Sequence, residues 1–446
     1  IDFIHKIRFN RACQLLQEGK YNVSEISFMV GYNTPSYFAA RFKKYIGCLP
    51  TEYGKKYDMR KHKIWTLLIV LSLLAACKQP QSLTPSVSEV AQIKANGTSI
   101  RLFCLTNRNG MTIKVTNFAA SLTSVSVPDK KGNFEQVVLG FDSLESYLGK
   151  HPKFGATVGR FANRIKHGEF CLDNQIFQLE KNSKGNSVHG GSRGFNTQVF
   201  ETDTFYVVKD TAIVVFSYKS AHLEGGFPGN LNLSIAYKLT DRNEVILDYT
   251  ATTDQPTVVN FTNHSYFNLT GCKEPVLNHL YTLHADSITP VDSTGVPTGE
   301  LKAVTGTEYG FRTPRTAEKQ IRRMMGKTYD INYKLNKHPD SLELVATVTE
   351  PVSGRILKAY TTEPGMQFYI PSSNMDYLNG HGNRKYGKYY GFCLEMQHFP
   401  DSPNKPQFPS TVLRPGEIYR QTTIYKFENS PATKCHLRIK SVPPPY

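Results

Sequence analysis

Residues 231–253 read LNLSIAYKLTDRNEVILDYTATT, and this stretch decides the fold class. Apolar and polar residues alternate through 231–240 and again through 244–253, which is the period of a strand with one buried face. The polar residues Asp-Arg-Asn at 241–243 lie between the two runs, where a chain is expected to turn. The stretch therefore predicts antiparallel β-sheet.

Similar strand-like runs recur on both sides of this stretch. They include TIKVTNFAASLTSVSV (112–127), TAIVVFSYKSA (211–221), SLELVATVTE (341–350) and RILKAYTTEP (355–364). Between about 91 and 427 the sequence contains neither a long amphipathic helical pattern nor a fixed-period repeat. We therefore expect a mainly β domain, built as a large sandwich or barrel.

Composition agrees with a folded chain. The 446 residues are 39% hydrophobic and 20% charged, which excludes wholesale disorder. Aromatic residues reach 12%, with 25 Tyr and 26 Phe, and favour strands. The net charge of +16 suggests nucleic acid, a membrane surface or an anionic ligand, but it is divided among unlike segments and argues weakly for nucleic acid.

Residues 1–58 have a different, helical pattern. FIHKIRFNRACQLLQ at 3–17 carries an apolar stripe at helical spacing. A second helix is predicted from an N-cap at Ser24 to Gly31, and a third between Thr34 and Gly47. Two short helices joined by a Gly-containing turn, the second with several basic residues, predict an all-α helix-turn-helix segment.

Residues 59–77 have the pattern of a secretory signal. Met59 is followed by basic residues, then by an apolar run at 64–76, which is shorter than the roughly 20 residues needed to span a bilayer. The run ends in LAAC, which resembles the lipobox of bacterial lipoproteins. That resemblance implies cleavage before Cys77 and lipidation of Cys77. Residues 78–90, rich in Pro and Ser, are predicted to be a linker.

These segments imply a domain order and a location. The expected domains are 1–58 helix-turn-helix, 59–77 signal peptide, 78–90 linker, 91–427 β domain and 428–446 disordered tail. A signal behind a DNA-binding module is contradictory, so we expect Met59 to be the start and 1–58 to come from an upstream gene. The mature protein is then expected in the periplasm or outer membrane, anchored by lipid on Cys77. It would be cytoplasmic if 1–58 belongs to the chain.

Five polar clusters interrupt the strand-like runs of the β domain. They are GRFANRI (159–165), NSVHGG (186–191), NHSYFNL (263–269), YDINY (329–333) and GFCLEMQHFPDSPN (391–404). Glu395 lies within an apolar strand, where burial would raise the pKa of its carboxyl toward that of a general base. His264 lies between Asn263 and Ser265, which could fix its tautomer. An acid and a base of matched pKa in a sheet-lined cleft indicate proton-transfer chemistry.

The β domain resembles the aldose 1-epimerase (galactose mutarotase) family over residues 95–427. The resemblance rests on motifs in family order, among them FGATVGRFANRI (154–165), NSVHGGSRGFN (186–196), NHSYFNLTG (263–271), ITPVDSTGVPTGEL (288–301) and TTEPGMQFYIPSSN (361–374). It implies a galactose-mutarotase-like β-supersandwich with an open sugar cleft. It also implies a monosaccharide substrate and no metal or organic cofactor.

The resemblance also assigns roles by motif position. His264 matches the general acid and Glu395 the general base of anomer interconversion. Residues expected to bind sugar hydroxyls are Asn163, Arg164, His189, Asp330 and Gln367. Each has a structural alternative: Arg164 could pair only with a core carboxylate, and Asn163 could only cap a turn.

The N-terminal segment is similar to the C-terminal half of an AraC/XylS-type DNA-binding domain. By position, residues 34–46 would be the recognition helix, with Ser36, Tyr37 and Arg41 near DNA. DNA is a partner only if this segment belongs to the native protein. Two alternatives to the enzyme stay open: a sugar-sensing transcriptional regulator and a non-catalytic sugar-binding lipoprotein. A monomer is favoured.

The eight cysteines say little about the fold. No two have the C-x-x-C spacing of a zinc cluster, and we expect mostly buried free thiols in the β domain.

Overall fold

The computed structural model describes residues 2–56, 83–325 and 327–430. The chain divides into two compact units, Ile1–Gln81 and Ser82–Tyr446. The predicted signal segment 59–77 with Cys77, and nearly all of the predicted tail 428–446, lie outside the described residues. Within the described ranges, no helix is both long and apolar enough to cross a bilayer.

Residues 2–56 form four helices, which are α1 (Asp2–Glu18), α2 (Val23–Met29), α3 (Pro35–Ile46) and α4 (Pro50–Lys56). The predicted ends of α3 are confirmed. Thr34 caps its start with extended backbone, and Gly47 ends it in the left-handed conformation at φ 90°. A side chain with a Cβ is disfavoured in that conformation, which is why glycine ends so many helices.

The predicted start of α2 is wrong by two residues. Asn22, not Ser24, caps the helix: its side-chain oxygen accepts from the Glu25 backbone N–H at 2.9 Å. The Glu25 carboxylate accepts in turn from the Asn22 backbone N–H at 2.8 Å. This reciprocal capping box satisfies two N–H groups that the helix itself leaves unpaired, so it outweighs a single serine cap.

Aromatic side chains hold the helical unit together. Phe9 of α1 packs edge-on against Phe42 of α3, with ring centroids 5.7 Å apart, and both are buried. Ser36, Tyr37 and Arg41 lie on the exposed side of α3. Arg41 Nε donates to the Tyr37 hydroxyl at 3.1 Å. The three residues named as DNA contacts are therefore on one accessible helix.

Residues 83–325 and 327–430 form 29 strands and two short α-helices, α5 (Glu145–Leu148) and α6 (Ala317–Arg323), which confirms the mainly β fold. The strands before residue 200 are β1 (Ser86–Ala95), β2 (Thr98–Thr106), β3 (Thr112–Thr116), β4 (Ser121–Pro128), β5 (Phe134–Gln136), β6 (Thr157–Val158), β7 (Arg164–Ile165), β8 (Glu169–Leu172), β9 (Gln175–Gln178) and β10 (Ser187–Val188). Those up to residue 303 are β11 (Glu201–Val208), β12 (Thr211–Ser220), β13 (Leu231–Thr240), β14 (Glu244–Thr253), β15 (Thr257–Val258), β16 (Thr262–Asn263), β17 (Leu280–Leu283), β18 (Ala285–Ile288) and β19 (Lys302–Ala303). The rest are β20 (Arg315–Thr316), β21 (Asp330–Leu335), β22 (Glu343–Thr349), β23 (Arg355–Thr361), β24 (Gly365–Tyr369), β25 (Met375–Asn379), β26 (Lys385–Tyr386), β27 (Cys393–Gln397), β28 (Val412–Leu413) and β29 (Tyr419–Asn429).

The longest strands form a nine-stranded antiparallel sheet in the order β11-β12-β13-β14-β29-β23-β22-β17-β20. The stretch 231–253 is its central hairpin: β13 and β14 pair from Leu231 with Thr253 to Leu239 with Val245. Side chains on β13 alternate between more and less buried positions, as the sequence period predicts.

Two five-stranded sheets accompany the large one, in the orders β1-β2-β3-β4-β5 and β19-β18-β21-β24-β27. One continuous hydrophobic core joins all three sheets. It includes Phe103 on β2, Phe216 on β12, Tyr237 on β13 and Phe368 on β24, each fully buried. Because every sheet contributes an apolar face to the same core, the sheets form a packed sandwich.

The sheet that contains β21, β24 and β27 places polar residues side by side. Gln367 pairs with Asn332 on one side and with Glu395 on the other. Side chains of directly paired residues share a face of the sheet, so these three form a polar row. Asp330, two residues before Asn332, lies on the same face.

Two predicted boundaries differ from the structure. Residues 86–90, assigned to the linker, begin β1, which pairs with β2 from Ser86 opposite Thr106. This strand lies at the edge of its sheet and none of its residues is fully buried, so its sequence lacks the apolar alternation of an inner strand. At the other end, Glu428 and Asn429 belong to β29 and not to the tail.

Among the described cysteines of the β unit, the expectation of mostly buried thiols is only half correct. Cys272 and Cys393 are buried, Cys104 is partly buried and Cys171 is exposed. Cys171 lies on the exposed face of β8, which belongs to a two-stranded sheet with β9. Only the opposite face of β8 is buried.

Candidate active site

His264 and Glu395 face each other in a cleft of about 290 Å³. His264 Nε2 lies 3.8 Å from Glu395 Oε1, and the two side chains are only 7% and 3% exposed. Glu395 is the central residue of β27, and His264 directly follows β16. The backbone N–H of His264 donates to Ala156 O at 2.9 Å, which fixes the residue beside the strand.

Burial determines the protonation of this pair. It raises the pKa of Glu395 to about 8, with a further contribution from the Asp330 carboxylate. Burial also lowers the pKa of His264 to about 3, and the Lys153 ammonium adds to that effect. Near neutral pH the pair therefore holds one proton between its two members and carries no net charge.

The ring of His264 is held by its neighbours. It stacks on Tyr266 with centroids 4.9 Å apart, and Tyr369 approaches edge-on. The Cys393 thiol lies 3.6 Å from His264 Nδ1. With Nδ1 on this side, Nε2 is the nitrogen that faces Glu395.

The expectation that Asn263 and Ser265 fix the tautomer of His264 is wrong. The Ser265 hydroxyl donates to Asn263 Oδ1, and Asn263 Nδ2 donates to Gly155 O at 2.8 Å. Side chains alternate in direction along an extended segment, so Asn263 and Ser265 point to one side and His264 to the other. Asn263 and Ser265 therefore contact each other and not the His264 ring. Cys393, on another strand, occupies the expected position.

Arg164, Asp330 and Gln367 form a hydrogen-bonded group beside the pair. Arg164 Nη2 donates to Asp330 Oδ2 at 3.1 Å, and Gln367 Nε2 donates to Asp330 Oδ1 at 2.6 Å. Arg164 Nη1 donates to Asn163 Oδ1 at 3.1 Å. Asp330 is the most exposed of these side chains, at 43%, so the group opens toward solvent where a sugar could bind.

His189 is the second predicted histidine of the site and lies next to His264, with ring centroids 5.6 Å apart. The Asn163 backbone N–H donates to His189 Nδ1 at 3.1 Å. Nδ1 is thus an acceptor, and the neutral ring carries its proton on Nε2. Burial lowers the pKa of His189 well below its usual value, so the ring is neutral.

The structure therefore brings together all seven residues predicted for catalysis and sugar binding. Five further residues line the same cleft: Pro152, Lys153, Val188, Tyr266 and Tyr369. Tyr266 lies inside the NHSYFNL motif, but its role as a stacking partner has no sequence signal. Lys153 directly precedes FGATVGRFANRI, and a single lysine in a loop is ordinarily a solvated surface residue.

Two polar atoms of the site have no partner among the described residues. Glu395 Oε2 and Gln367 Oε1 are buried and accept no hydrogen bond. Buried acceptors without partners are rare in folded proteins and point to a polar ligand or water. Both belong to adjacent residues of the polar row.

Side-chain atoms of His189, His264 and Glu395 lie within 4.8 Å of one another, close enough to hold a metal ion. Neutral imidazoles and a carboxylate are suitable ligands for a transition metal. The same closeness is required for proton transfer to one bound molecule.

A larger cavity, of about 1170 Å³, lies elsewhere in the β unit and contains Glu363, His398 and Tyr419. His398 Nδ1 lies 2.6 Å from Glu363 Oε2, and the Tyr419 hydroxyl donates to Glu363 Oε1 at 3.1 Å. Both carboxylate oxygens are thus engaged within the protein. The smaller cleft, where Glu395 has a free oxygen, is the better candidate for chemistry.

Known families match both units of the chain. Residues 101–426 match the family described as Aldose 1-epimerase, and residues 1–56 match the one described as Helix-turn-helix domain.

Curated relatives of the β unit are similar over nearly their whole length. Galactose mutarotase of Homo sapiens is 42% identical over 316 residues, 71% of this chain and 90% of that protein. Aldose 1-epimerase of Escherichia coli (strain K12) is 35% identical over 352 residues, 76% of this chain and 99% of that protein.

Solved structures agree on the fold. Galactose 1-epimerase from Lactobacillus acidophilus NCFM superposes with a TM-score of 0.69 and 26% identity, covering 78% of this chain and 99% of that one. An aldose epimerase homologue from C. elegans gives 0.67 and 28%, with the same coverage.

Proposed function

The chain belongs to the aldose 1-epimerase family, and we propose that Glu395 and His264 are the groups that move protons in its reaction. As an aldose 1-epimerase, it interconverts the α and β anomers of a free aldose. One observation supports the assignment above the others: His264 Nε2 and Glu395 Oε1 are 3.8 Å apart in a cleft, and Glu395 Oε2 has no partner among the described residues. A base needs such an unoccupied acceptor.

The first half of the reaction opens the sugar ring. The Glu395 carboxylate takes the proton of the anomeric hydroxyl, and the His264 imidazolium gives a proton to the ring oxygen. The bond between C1 and the ring oxygen breaks, and C1 becomes an aldehyde. One proton has entered the pair and one has left it, so the pair still holds one proton, now on Glu395.

The second half closes the ring after rotation about the C1–C2 bond. Neutral His264 takes the proton from the hydroxyl that the ring oxygen became on opening, and protonated Glu395 returns its proton to the aldehyde oxygen. Attack on the other face of the carbonyl gives the other anomer. The raised pKa of Glu395 and the lowered pKa of His264 favour this proton distribution, with the proton on Glu395, as it is after ring opening.

The remaining polar groups suit the binding of sugar hydroxyls. Asp330 and the free Gln367 Oε1 are acceptors, whereas Arg164 and His189 Nε2 are donors. Asn163 supports both sides, since its backbone N–H binds His189 and its side chain binds Arg164. A pyranose carries several hydroxyls that both donate and accept, and this mixed set fits them.

Polarimetry tests the assignment. Fresh α-D-glucose and α-D-galactose are followed to equilibrium with the wild-type chain, Glu395→Gln and His264→Asn. The exposed pair His338–Glu343, with Nδ1 and Oε1 3.1 Å apart, provides matched controls, His338→Asn and Glu343→Gln. We expect the cleft variants alone to lose activity. Sugar binding without acceleration over buffer by the wild type would instead identify a non-catalytic sugar-binding protein.

For residues 59–77 we propose a lipoprotein signal, with Cys77 lipidated after cleavage. The support is the order of a basic start, an apolar run and small residues before the cysteine. The mature enzyme would then lie in the periplasm or outer membrane. Mass spectrometry of the native protein from isolated membranes tests this proposal. An N-terminal peptide that begins at Cys77 and is acylated on its thiol and its amino group is expected, and a native chain that retains 59–77 would contradict it.

For the helix-turn-helix domain we propose DNA binding through α3. Ser36, Tyr37 and Arg41 lie on its exposed side, where a recognition helix would contact bases. Selection from random DNA duplexes with the full chain tests this, with Arg41→Ala as the variant and exposed Arg193→Ala as the control. The proposal requires a selected sequence that Arg41→Ala no longer enriches.

A further inference from the structure

Lys153 occupies the active-site cleft although neither the sequence motifs nor the proton transfer use it. It lies in the loop between α5 and β6 and lines the cleft with His264, His189 and Glu395. Its backbone is in the left-handed region at φ 61°. The carbonyl of Lys153 accepts from the Ala156 N–H at 3.1 Å, which fixes the loop in this conformation.

Left-handed backbone is repeated around the cleft. Asn163 has φ 61° and His189 has φ 55°, so three side chains of the cleft extend from disfavoured conformations. Such conformations persist where the surrounding structure requires a side chain to have one direction, and they concentrate at functional sites. Lys153 shares this feature with two predicted sugar-binding residues.

The ammonium of Lys153 has no hydrogen bond or ion pair with any residue that the structure describes. The side chain is half-buried, and burial lowers the pKa of Lys153, which indicates that its charge is poorly compensated. The other cation of the cleft differs, because Arg164 is bonded to Asp330 and Asn163.

A count of charges in the cleft gives an excess of one positive charge. Arg164 and Asp330 cancel each other, and His264 with Glu395 shares one proton without net charge. His189 is neutral. Of the described residues that line the cleft, Lys153 alone remains, and a half-buried cation without a counter-ion is costly unless a ligand supplies one.

We propose that Lys153 binds an anionic substituent of the substrate, and that the preferred substrates are hexuronates, aldoses with a carboxylate on C5. This inference rests on the proposed function, because it adds a substrate class to the same cleft. A carboxylate carries one negative charge and matches the single unpaired ammonium. A phosphate carries nearly two and would leave a charge uncompensated.

The position of Lys153 agrees with a substituent on C5. Lys153 and His264 line the same cleft, and after burial the Lys153 ammonium is the main cause of the lowered pKa of His264. His264 serves the ring oxygen, and C5 is bonded directly to that oxygen. A carboxylate on C5 therefore comes close to Lys153. Once paired, the two charges cancel, and the protonated form of His264 becomes easier to reach.

The test compares kcat/KM for mutarotation of D-galacturonate and D-glucuronate with those for D-galactose and D-glucose at one ionic strength. A hydrogen bond between charged groups predicts a preference for the uronates of about tenfold or more. Lys153→Met is expected to abolish this ratio, and Lys153→Arg to keep most of it. Lys150→Met removes the same charge from an exposed position three residues away and should leave the ratio unchanged.

Three results would overturn the inference. The wild type could turn over neutral aldoses and show no preference for uronates. Lys153→Met could lower kcat/KM equally for neutral and acidic sugars, which would show that the ammonium binds a hydroxyl present in both. A hexose 6-phosphate could be preferred over both uronates, which would replace the carboxylate by a phosphate.

Binding to Glu395→Gln separates this inference from the proposed function. Calorimetry of that variant measures affinity without turnover, and galacturonate should bind about tenfold more tightly than galactose. If no sugar is turned over by the wild type but this difference in affinity is found, the proposed chemistry fails and the Lys153 site stands. Equal affinities would reject the site whatever the turnover.

Discussion

Gln367 lies directly opposite Glu395 in the register of β24 and β27, yet its side-chain amide donates to Asp330 at 2.6 Å and not to the carboxylate. Within the part of the chain that the structure describes, Glu395 Oε2 is therefore left without a partner, although it is buried. Asp330 acts as the competing acceptor that keeps the glutamine away from the base. This relationship, and the buried contacts around it, determine how the site should respond to substitution.

Glu395→Gln and His264→Asn should each lower kcat by about 10²–10⁴-fold, the usual contribution of a positioned acid or base. The double variant should lose little more than the weaker single variant. The reason is that each half of the reaction needs one group to accept a proton while the other donates one, so either loss stops the same step. Polarimetry of all three variants measures the coupling. Losses that multiply would show two independent groups and contradict this coupled transfer.

The activity should fall as pH rises above about 8. In this range Glu395 ionises while His264 is already neutral, so the pair no longer holds the proton that the reaction needs. The pH dependence of kcat/KM, after subtraction of the buffer rate, measures this fall, which is the alkaline limb of the pH profile.

Asp330→Asn should move the same limb to lower pH. The Asp330 carboxylate contributes to the raised pKa of Glu395, so removing its charge lets Glu395 ionise sooner. The variant will also weaken binding because Arg164 and Gln367 lose their shared acceptor. Weaker binding lowers kcat/KM at every pH, but it does not change the pH at which the alkaline limb falls. Asp286→Asn, on β18 of the same sheet, is the control. An unmoved limb would show that Asp330 does not act on Glu395.

Glu395→Gln should be more stable than the wild type at pH 8. The pKa of the carboxyl is about 8 when folded and near 4.5 when unfolded. Its contribution to the free energy of unfolding is therefore fully present below about pH 4.5 and is lost as pH rises toward 8. The amide does not ionise, so the gap should be of the order of a few kcal/mol at pH 8 and close near pH 4. Urea unfolding followed by the β-sheet circular dichroism signal measures it.

Glu363→Gln is the matched control for that experiment. Glu363 is also buried, but His398 and Tyr419 occupy both of its oxygens. Replacing it should destabilise the protein at pH 8, since the amide keeps one acceptor oxygen where the carboxylate had two, and a buried partner loses its hydrogen bond. A Glu395→Gln protein less stable than the wild type at pH 8 would show that the carboxylate is compensated in the cleft.

Arg160→Met should destabilise the β unit by about 3 kcal/mol or more. The Arg160 guanidinium is buried, and it donates to Pro228 O at 2.7 Å and to Ser220 Oγ at 2.6 Å. Methionine fits a similar volume but leaves those acceptors unpaired. The shift in urea midpoint measures the loss, and exposed Arg193→Met serves as control. Equal midpoints for the two variants would contradict a structural role for Arg160.

Local signals in the sequence were sufficient where the structure depends on local energetics. The hairpin at 231–253 follows from a strict period of two, and the end of α3 follows from Gly47. The sequence misplaces the start of α2 because Ser24 is a good cap by itself, whereas Asn22 and Glu25 satisfy each other. The edge strand β1 has the sequence pattern of a linker because no face of the strand is fully buried.

The site was predictable in its membership but not in its contacts. The motifs pointed to His264, Glu395 and the sugar-binding residues because they occur together in family order. Which atoms meet depends on pairing between distant strands, and so the thiol of Cys393 beside His264 could not be foreseen. Lys153 could not be foreseen either, because its interest depends on its ammonium having no hydrogen bond or ion pair with the residues that the structure describes.

The polar row on β21, β24 and β27 makes turnover depend on the register in which these strands pair. A slip of β24 by one residue would turn Gln367 to the opposite face and present Met366 or Phe368 to the cleft. Such a molecule could retain its sheets and its spectroscopic signal while the chemistry is lost. Specific activity per folded molecule would then report how many copies of the chain have found the correct register during refolding.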